Sequence, residues 1–190
     1  MNILLSLAVA AVIALQSPAT PSPNFRPSKP TTEEPVGEVV FSYRLENELL
    51  RFTTDDLRVL TTDADYGCLP EKEVRSILSL LLRKFDNTYI PEARDCDDLA
   101  LEFIVKYRRL AREVMDDVPL AVPAGLIDVK LCTDNPEMGY KLNGRVSYHA
   151  IVIIRCMGGK WLLVDPDTKK VSEFTQHLYE GTMELRRAIF

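Results

Sequence analysis

The run Arg94-Asp95-Cys96-Asp97-Asp98-Leu99-Ala100 sets a cysteine at the start of a helix-like pattern. Ser147-Tyr148-His149-Ala150 follows about fifty residues later on a strand-like one. A thiolate, not a thiol, attacks a carbonyl carbon, and both a helix N-terminus and a neighbouring imidazolium favour the ionised form. Trp161-Leu162-Leu163-Val164-Asp165-Pro166 then supplies an apolar strand ending in a carboxylate able to orient an imidazole through its second nitrogen. Cys96, His149 and Asp165 therefore read as nucleophile, base and orienter in chain order, a set suited to thiol-acyl chemistry.

Elements able to position these groups are legible around them. Pro70, with Glu71 and Glu73, opens a helix whose apolar positions Val74, Ile77, Leu78 and Leu81 recur at helical spacing up to Phe85. From Cys96 the stripe Ala100, Phe103, Ile104, Tyr107, Ala111 and Val114 predicts the longest helix. Glu102, Lys106, Arg109, Arg112 and Glu113 occupy its other face. Residues 121–132, 146–155 and 160–164 read as strands, the last two joined as a hairpin through Met157-Gly158-Gly159. Glu38 to Tyr43 reads as an edge strand, and Thr53-Thr54-Asp55-Asp56-Leu57 as the cap of a short helix. Helices followed by an antiparallel sheet predict an α+β fold.

The Asp-Cys-Asp-Asp-Leu-Ala helix start, the His-Ala-Ile-Val strand and the Gly-Lys-Trp-Leu-Leu-Val-Asp-Pro strand together resemble the transglutaminase-like, papain-fold cysteine enzymes, over roughly residues 66–170. The doubled aspartate after Cys96 and the approach through Asp86-Asn87-Thr88-Tyr89 look closer to the calcium-dependent cysteine-protease domain of fungal agglutinins and its bacterial and phage relatives. The resemblance implies a papain-like, transglutaminase-like core with the nucleophile at a helix N-terminus. It implies a cysteine peptidase or amidase acting on a peptide or protein substrate through Cys96, His149 and Asp165. Two alternatives stand beside it: an acyltransferase that crosslinks, and a non-catalytic binding or structural module that keeps the fold.

Asp95, Asp97 and Asp98 place negative charge beside a thiol that must itself become negative, and like charges oppose ionisation. Three offsets are open. Asp95 can cap the helix, where carboxylates are favourable. Arg94 can supply a counter-charge. A calcium ion held by Asp95, Asp97 and Asp98 would reverse the local charge, although no EF-hand spacing accompanies them and the sequence requires no cofactor. The backbone N–H of Cys96 is the expected first donor to an oxyanion, with Asn87 or Tyr89 as sources of the second.

Composition limits the partners. A net charge of −5, with no basic stripe carrying interleaved aromatics, argues against nucleic acid. Ile3 to Leu15 is an apolar run too short for an ordinary membrane span, which needs about twenty residues. Residues 1–19 are therefore expected to be a signal peptide, with a membrane anchor or tether through residues 3–15 as the alternative. Either way the protein is expected to be exported, secreted or periplasmic, or anchored facing outside the cytoplasm. Residues 20–36 form a Pro-rich linker and 37–190 the folded domain. If Cys96 is a free nucleophile, Cys68, Cys132 and Cys156 allow at most one internal disulfide, and buried thiols are the simpler reading. No cysteine and histidine spacing suggests zinc.

Overall fold

Alternation along one strand organises the molecule. In Ala150-Ile151-Val152-Ile153-Ile154 every side chain is buried. Ala150, Val152 and Ile154 join one apolar cluster; Ile151 and Ile153 join the other. A strand covered on both faces loses the polar alternation of a half-exposed one and reads as a continuous apolar run.

The computed structural model describes residues 37–51, 58–90, 94–115, 120–174 and 182–190. In chain order the elements are β1 (Glu38–Phe41), α1 (Ser42–Leu50), β2 (Arg58–Leu60), β3 (Asp65–Cys68), α2 (Glu71–Lys84) and α3 (Cys96–Val114). They continue with β4 (Ala124–Leu131), β5 (Ser147–Arg155), β6 (Trp161–Asp165), β7 (Lys170–Glu173) and β8 (Met183–Ile189). Six strands form one sheet in the order β2-β8-β4-β5-β6-β7, and β1 pairs with β3 in a separate antiparallel ribbon. Within the large sheet only β2 runs parallel to its neighbour, β8. The fold is α+β, as expected.

Helices α2 and α3 cover one face. Val74, Ile77 and Leu78 of α2 meet Leu99, Ala100, Phe103, Ile104 and Tyr107 of α3 over Leu126, Val152, Leu162 and Val164 of the sheet. Glu71 and Glu73 lie in the first turn of α2 and Arg83 and Lys84 in its last, the distribution that the helix dipole favours. Phe85 then leaves the helix and packs its ring edge-on against Phe103 at 5.3 Å, fixing the end of α2 to α3. The opposite face is covered by Leu45 and Leu49 of α1, by Val40, Tyr66 and Cys68 of the ribbon, and by Met138 and Tyr140.

Several boundaries differ from expectation for local reasons. The edge strand stops at Phe41, because Ser42 begins α1 and takes Tyr43 with it. β4 begins at Ala124 and not at 121, since Pro123 has no N–H for the ladder; its carbonyl accepts the Arg155 N–H at 2.9 Å instead. The β5–β6 connection is a single 3-10 turn in which Gly158 and Gly159 take φ of 80° and 84°, a region that side chains disfavour. The expected helix cap at 53–57, the signal or anchor segment and the linker lie outside the described residues. No helix among the described residues is long and apolar enough to cross a membrane.

Candidate functional site

β5 outruns its neighbour. Its residues 152–155 pair with β6 and its residues 147–151 have no partner there, so the last residue of β6, Asp165, sits beside an open stretch of β5. Period-two alternation puts His149 on the same side of β5 as Ile151 and Ile153, and Asp165 on the same side of β6 as Trp161 and Leu163. The two side chains meet there: His149 Nε2 lies 3.2 Å from Asp165 Oδ2, with 13% of the imidazole side chain exposed and none of the carboxylate.

Asp165 is saturated with donors. Its Oδ2 accepts from the Tyr140 hydroxyl at 2.8 Å and the Thr168 hydroxyl at 2.9 Å, and its Oδ1 accepts the Asp167 backbone N–H at 2.9 Å. Burial pushes this carboxyl upward, but the charged His149 and the hydroxyl donors outweigh it and hold the pKa below the usual value. Burial likewise works against a charged His149. The Asp165 carboxylate, and after it the Cys96 side chain, overcome that and raise the imidazole from 6.5 to about 9. Tyr140 packs edge-on to the His149 ring at 5.2 Å, and burial followed by the Asp165 charge keeps its hydroxyl protonated. At neutral pH the centre is a buried carboxylate beside an imidazolium.

Cys96 is the first residue of α3 and packs, partly buried, at the margin of the helical cluster. Nε2 of His149 is engaged by Asp165, so Nδ1 is the nitrogen available to the thiol. The structure therefore brings all three of Cys96, His149 and Asp165 into one chain of interactions. All four cysteines are free thiols. Burial pushes Cys68 up to about 11 and Cys156 up to about 12, and Cys132 is raised by burial and by the Glu184 carboxylate. Among the cysteines, Cys96 is the one beside an imidazolium.

The acidic collar is organised differently from the expectations. Asp95 has the extended backbone of an N-cap and its carbonyl accepts the Leu99 N–H at 3.0 Å, yet its side chain makes no cap hydrogen bond. Asp95 Oδ1 is buried without a partner among the described residues. Asp97 hydrogen-bonds the Asp95 carboxyl, which lowers the pKa of Asp95 and raises that of Asp97. Asp98 is exposed. Among the described residues no three His, Cys, Asp or Glu side chains converge as a metal site, and the Asp95–Asp97 pair supplies too few oxygens for calcium, which takes six to eight. The three carboxylates do not by themselves fit the ion.

Arg94 does not offset them either. Its guanidinium donates to the carbonyls of Thr88 and Asp86 and pairs with Asp86 at 3.1 Å and Glu102 at 2.9 Å, clipping the 86–90 segment to α3. Asn87 donates its amide to the Asp167 carbonyl, which ties the same segment to the turn after Asp165. That use occupies a donor expected to face an oxyanion, while Tyr89 remains half exposed.

Sequence reasoning missed Tyr140 and Thr168 as partners of Asp165. Thr168 had a local signal, since Asp-Pro-Asp-Thr is a turn in which a threonine hydroxyl can reach back three residues. Tyr140 had none: it comes from a turn 25 residues upstream whose bridge, Asn135 to Tyr140, is set by long-range packing.

No family model and no curated protein matches the chain. Solved structures do. PSL1a in complex with E64 aligns with a TM-score of 0.56 and 18% identity, over 80% of this chain and 50% of that one. Polyporus squamosus lectin bound to the human-type influenza-binding epitope Neu5Aca2-6Galb1-4GlcNAc aligns with 0.54 and 16%, over 80% and 49%. The chain thus spans about half the length of the lectin chains it matches, and at these identities the likeness shows the fold alone. The names these structures carry are those of a lectin, not of a transglutaminase-like cysteine enzyme. The expected family is corrected on this ground, and with it the expected enzyme, an exported cysteine peptidase or amidase with a thiol-protease description. The physical reason is that a cysteine at a helix start, a histidine on a strand and a strand-end aspartate are short patterns that describe a geometry, not a turnover.

Proposed function

We propose that the chain is a ligand-binding module on a papain-like core, the helix start of α3 facing the open end of β5, and that it holds its ligand at Cys96. One observation carries this: a partly buried thiol lies beside an imidazole that a buried, four-times hydrogen-bonded carboxylate keeps charged. A cysteine sulfur bonds carbon electrophiles, and a charged imidazole beside it can supply a proton to the group that leaves. The lectin names of the structural neighbours support binding over turnover; the papain-like description rests on Cys96 at the start of α3 interacting with His149 of β5.

The chemistry balances with an epoxide such as E64. Cys96 Sγ bonds a ring carbon and releases its proton to solvent, the carbon–oxygen bond breaks, and the alkoxide takes the proton held by His149, which solvent then replaces. Intact-mass measurement after incubating the full chain with E64 tests the reading. The expected result is one adduct, mapped to Cys96, absent in Cys96→Ala and slower in His149→Ala. Adduct on Cys132 alone, or a rate unaltered by His149→Ala, overturns it. Calorimetric titration with Neu5Aca2-6Galb1-4GlcNAc is the companion measurement: sugar binding that survives Cys96→Ala would move the ligand site away from this centre.

A further inference from the structure

A second concave site lies on α3, about 14 to 26 Å along the helix from Cys96 at 1.5 Å per residue. It is a groove of about 460 Å³ lined by Val105, Arg108, Arg109, Arg112 and Glu113. That volume is in the range of small-molecule sites. Three guanidinium groups face it against one carboxylate, and Glu113 is already paired with Arg109 at 3.6 Å. Arg112 makes no ion pair among the described residues, and Val105 is 68% exposed.

Arg108 is the unusual member. It donates Nη2 to the Ala124 carbonyl at 2.8 Å, while its Nε is buried with no partner among the described residues. Buried donors left unpaired are few in native proteins and call for a physical explanation. Burial lowers the pKa of Arg108, Tyr66 and Asp63 oppose it, and the like charge of Arg112 adds the least. An anion in the groove would offset the excess of guanidinium charge lining it. Planar guanidiniums suit carboxylates and phosphates alike, but the Glu113 carboxylate at the rim opposes a doubly charged group, and exposed Val105 offers contact to an apolar one.

We propose that this groove binds a monoanionic carboxylate carrying an apolar group, independently of the thiol centre. Arg108 and Arg112 hold the carboxylate and Val105 packs against the apolar part. The test is a heteronuclear NMR titration of the full chain with phenylacetate, beside inorganic phosphate. Saturable, salt-sensitive shifts confined to 105–113 are expected, with affinity reduced about tenfold in Arg112→Gln, the loss of one charge-assisted contact. Cys96→Ala should bind as the native chain does. Absence of saturable binding overturns the site, shifts unaltered by both Arg112→Gln and Arg108→Gln overturn its residues, and phosphate binding the tighter overturns the carboxylate assignment.

Discussion

β5 carries a buried polar centre at each end, and the two differ in what they leave unsatisfied. At Arg155 the guanidinium, fully buried, donates Nε and Nη2 to the two oxygens of Glu48 at 2.8 and 3.0 Å, and Nη1 to Glu38 and to Cys68 Sγ at 3.1 Å each. Glu48 also accepts from the Trp161 indole at 3.1 Å and Glu38 from the Gly158 N–H at 2.8 Å. Burial opposes both carboxylates, and Arg155 holds both below their usual range. Every partner is spent on joining the ribbon and α1 to the sheet. At His149 the carboxylate is equally saturated, but the imidazole keeps one nitrogen for a half-exposed cysteine. A closed centre fastens elements together; an open one retains a charge able to act on something else.

The largest expected effect falls on the closed end. Arg155→Met leaves Glu48 and Glu38 with exposed Arg44 as their remaining cation, and the loss should be about 3 kcal/mol, the low end for breaking a buried pair from one side. Denaturant unfolding should show that loss, while E64 labelling of the protein that remains folded should be unaltered. If the substitution were nearly silent, the closed centre would not be a fastening. At the open end, Asp165→Asn keeps an oxygen for Tyr140 and Thr168 but removes the charge that holds His149. About 2 to 3 kcal/mol should be lost at pH 7, with little loss at pH 9.5, where the native imidazole is already mostly neutral.

The pH dependence sharpens the contrast further. A histidine raised from 6.5 to about 9 contributes stability that is fully present below pH 6.5 and is lost as pH rises through 9. That rise corresponds to about 3 kcal/mol. Asp165, lowered, acts in the opposite window: its contribution is present above pH 3.8 and lost as pH falls below it. Melting curves from pH 6 to 10 should fall in the native chain and stay nearly flat in His149→Gln. The smallest effects belong to the collar. Asp97→Asn should alter stability by less than about 1 kcal/mol, since the side chain is exposed and asparagine can still hydrogen-bond the Asp95 carboxyl, and a chelator should leave the melting temperature unmoved.

The open centre was legible in the sequence because each of its three residues ends or begins an element with its own local pattern: a helix stripe after Cys96, an apolar strand after His149, another before Asp165. The closed centre was not legible. Arg155 follows Ile153 and Ile154 as any strand-end arginine would, and its carboxylate partners lie 107 and 117 residues away. β8 was missed for a related reason: Met-Glu-Leu-Arg-Arg-Ala-Ile has a register shift against β4 between Asp128 and Val129 that breaks its alternation. Fold class followed from local amphipathicity, whereas the function first inferred did not survive, since a geometry of three residues does not state what leaves the site.

The coupling of Cys96, His149 and Asp165 into one charged centre is most directly read from the imidazole itself. The chain has two histidines, so the ring resonances of His149 are separable by comparison with His149→Gln. Titrated by NMR, His149 should show a midpoint near 9, falling toward 6.5 in Asp165→Asn and by a smaller step in Cys96→Ala. A midpoint near 6.5 in the native chain, unmoved by either substitution, would contradict the account.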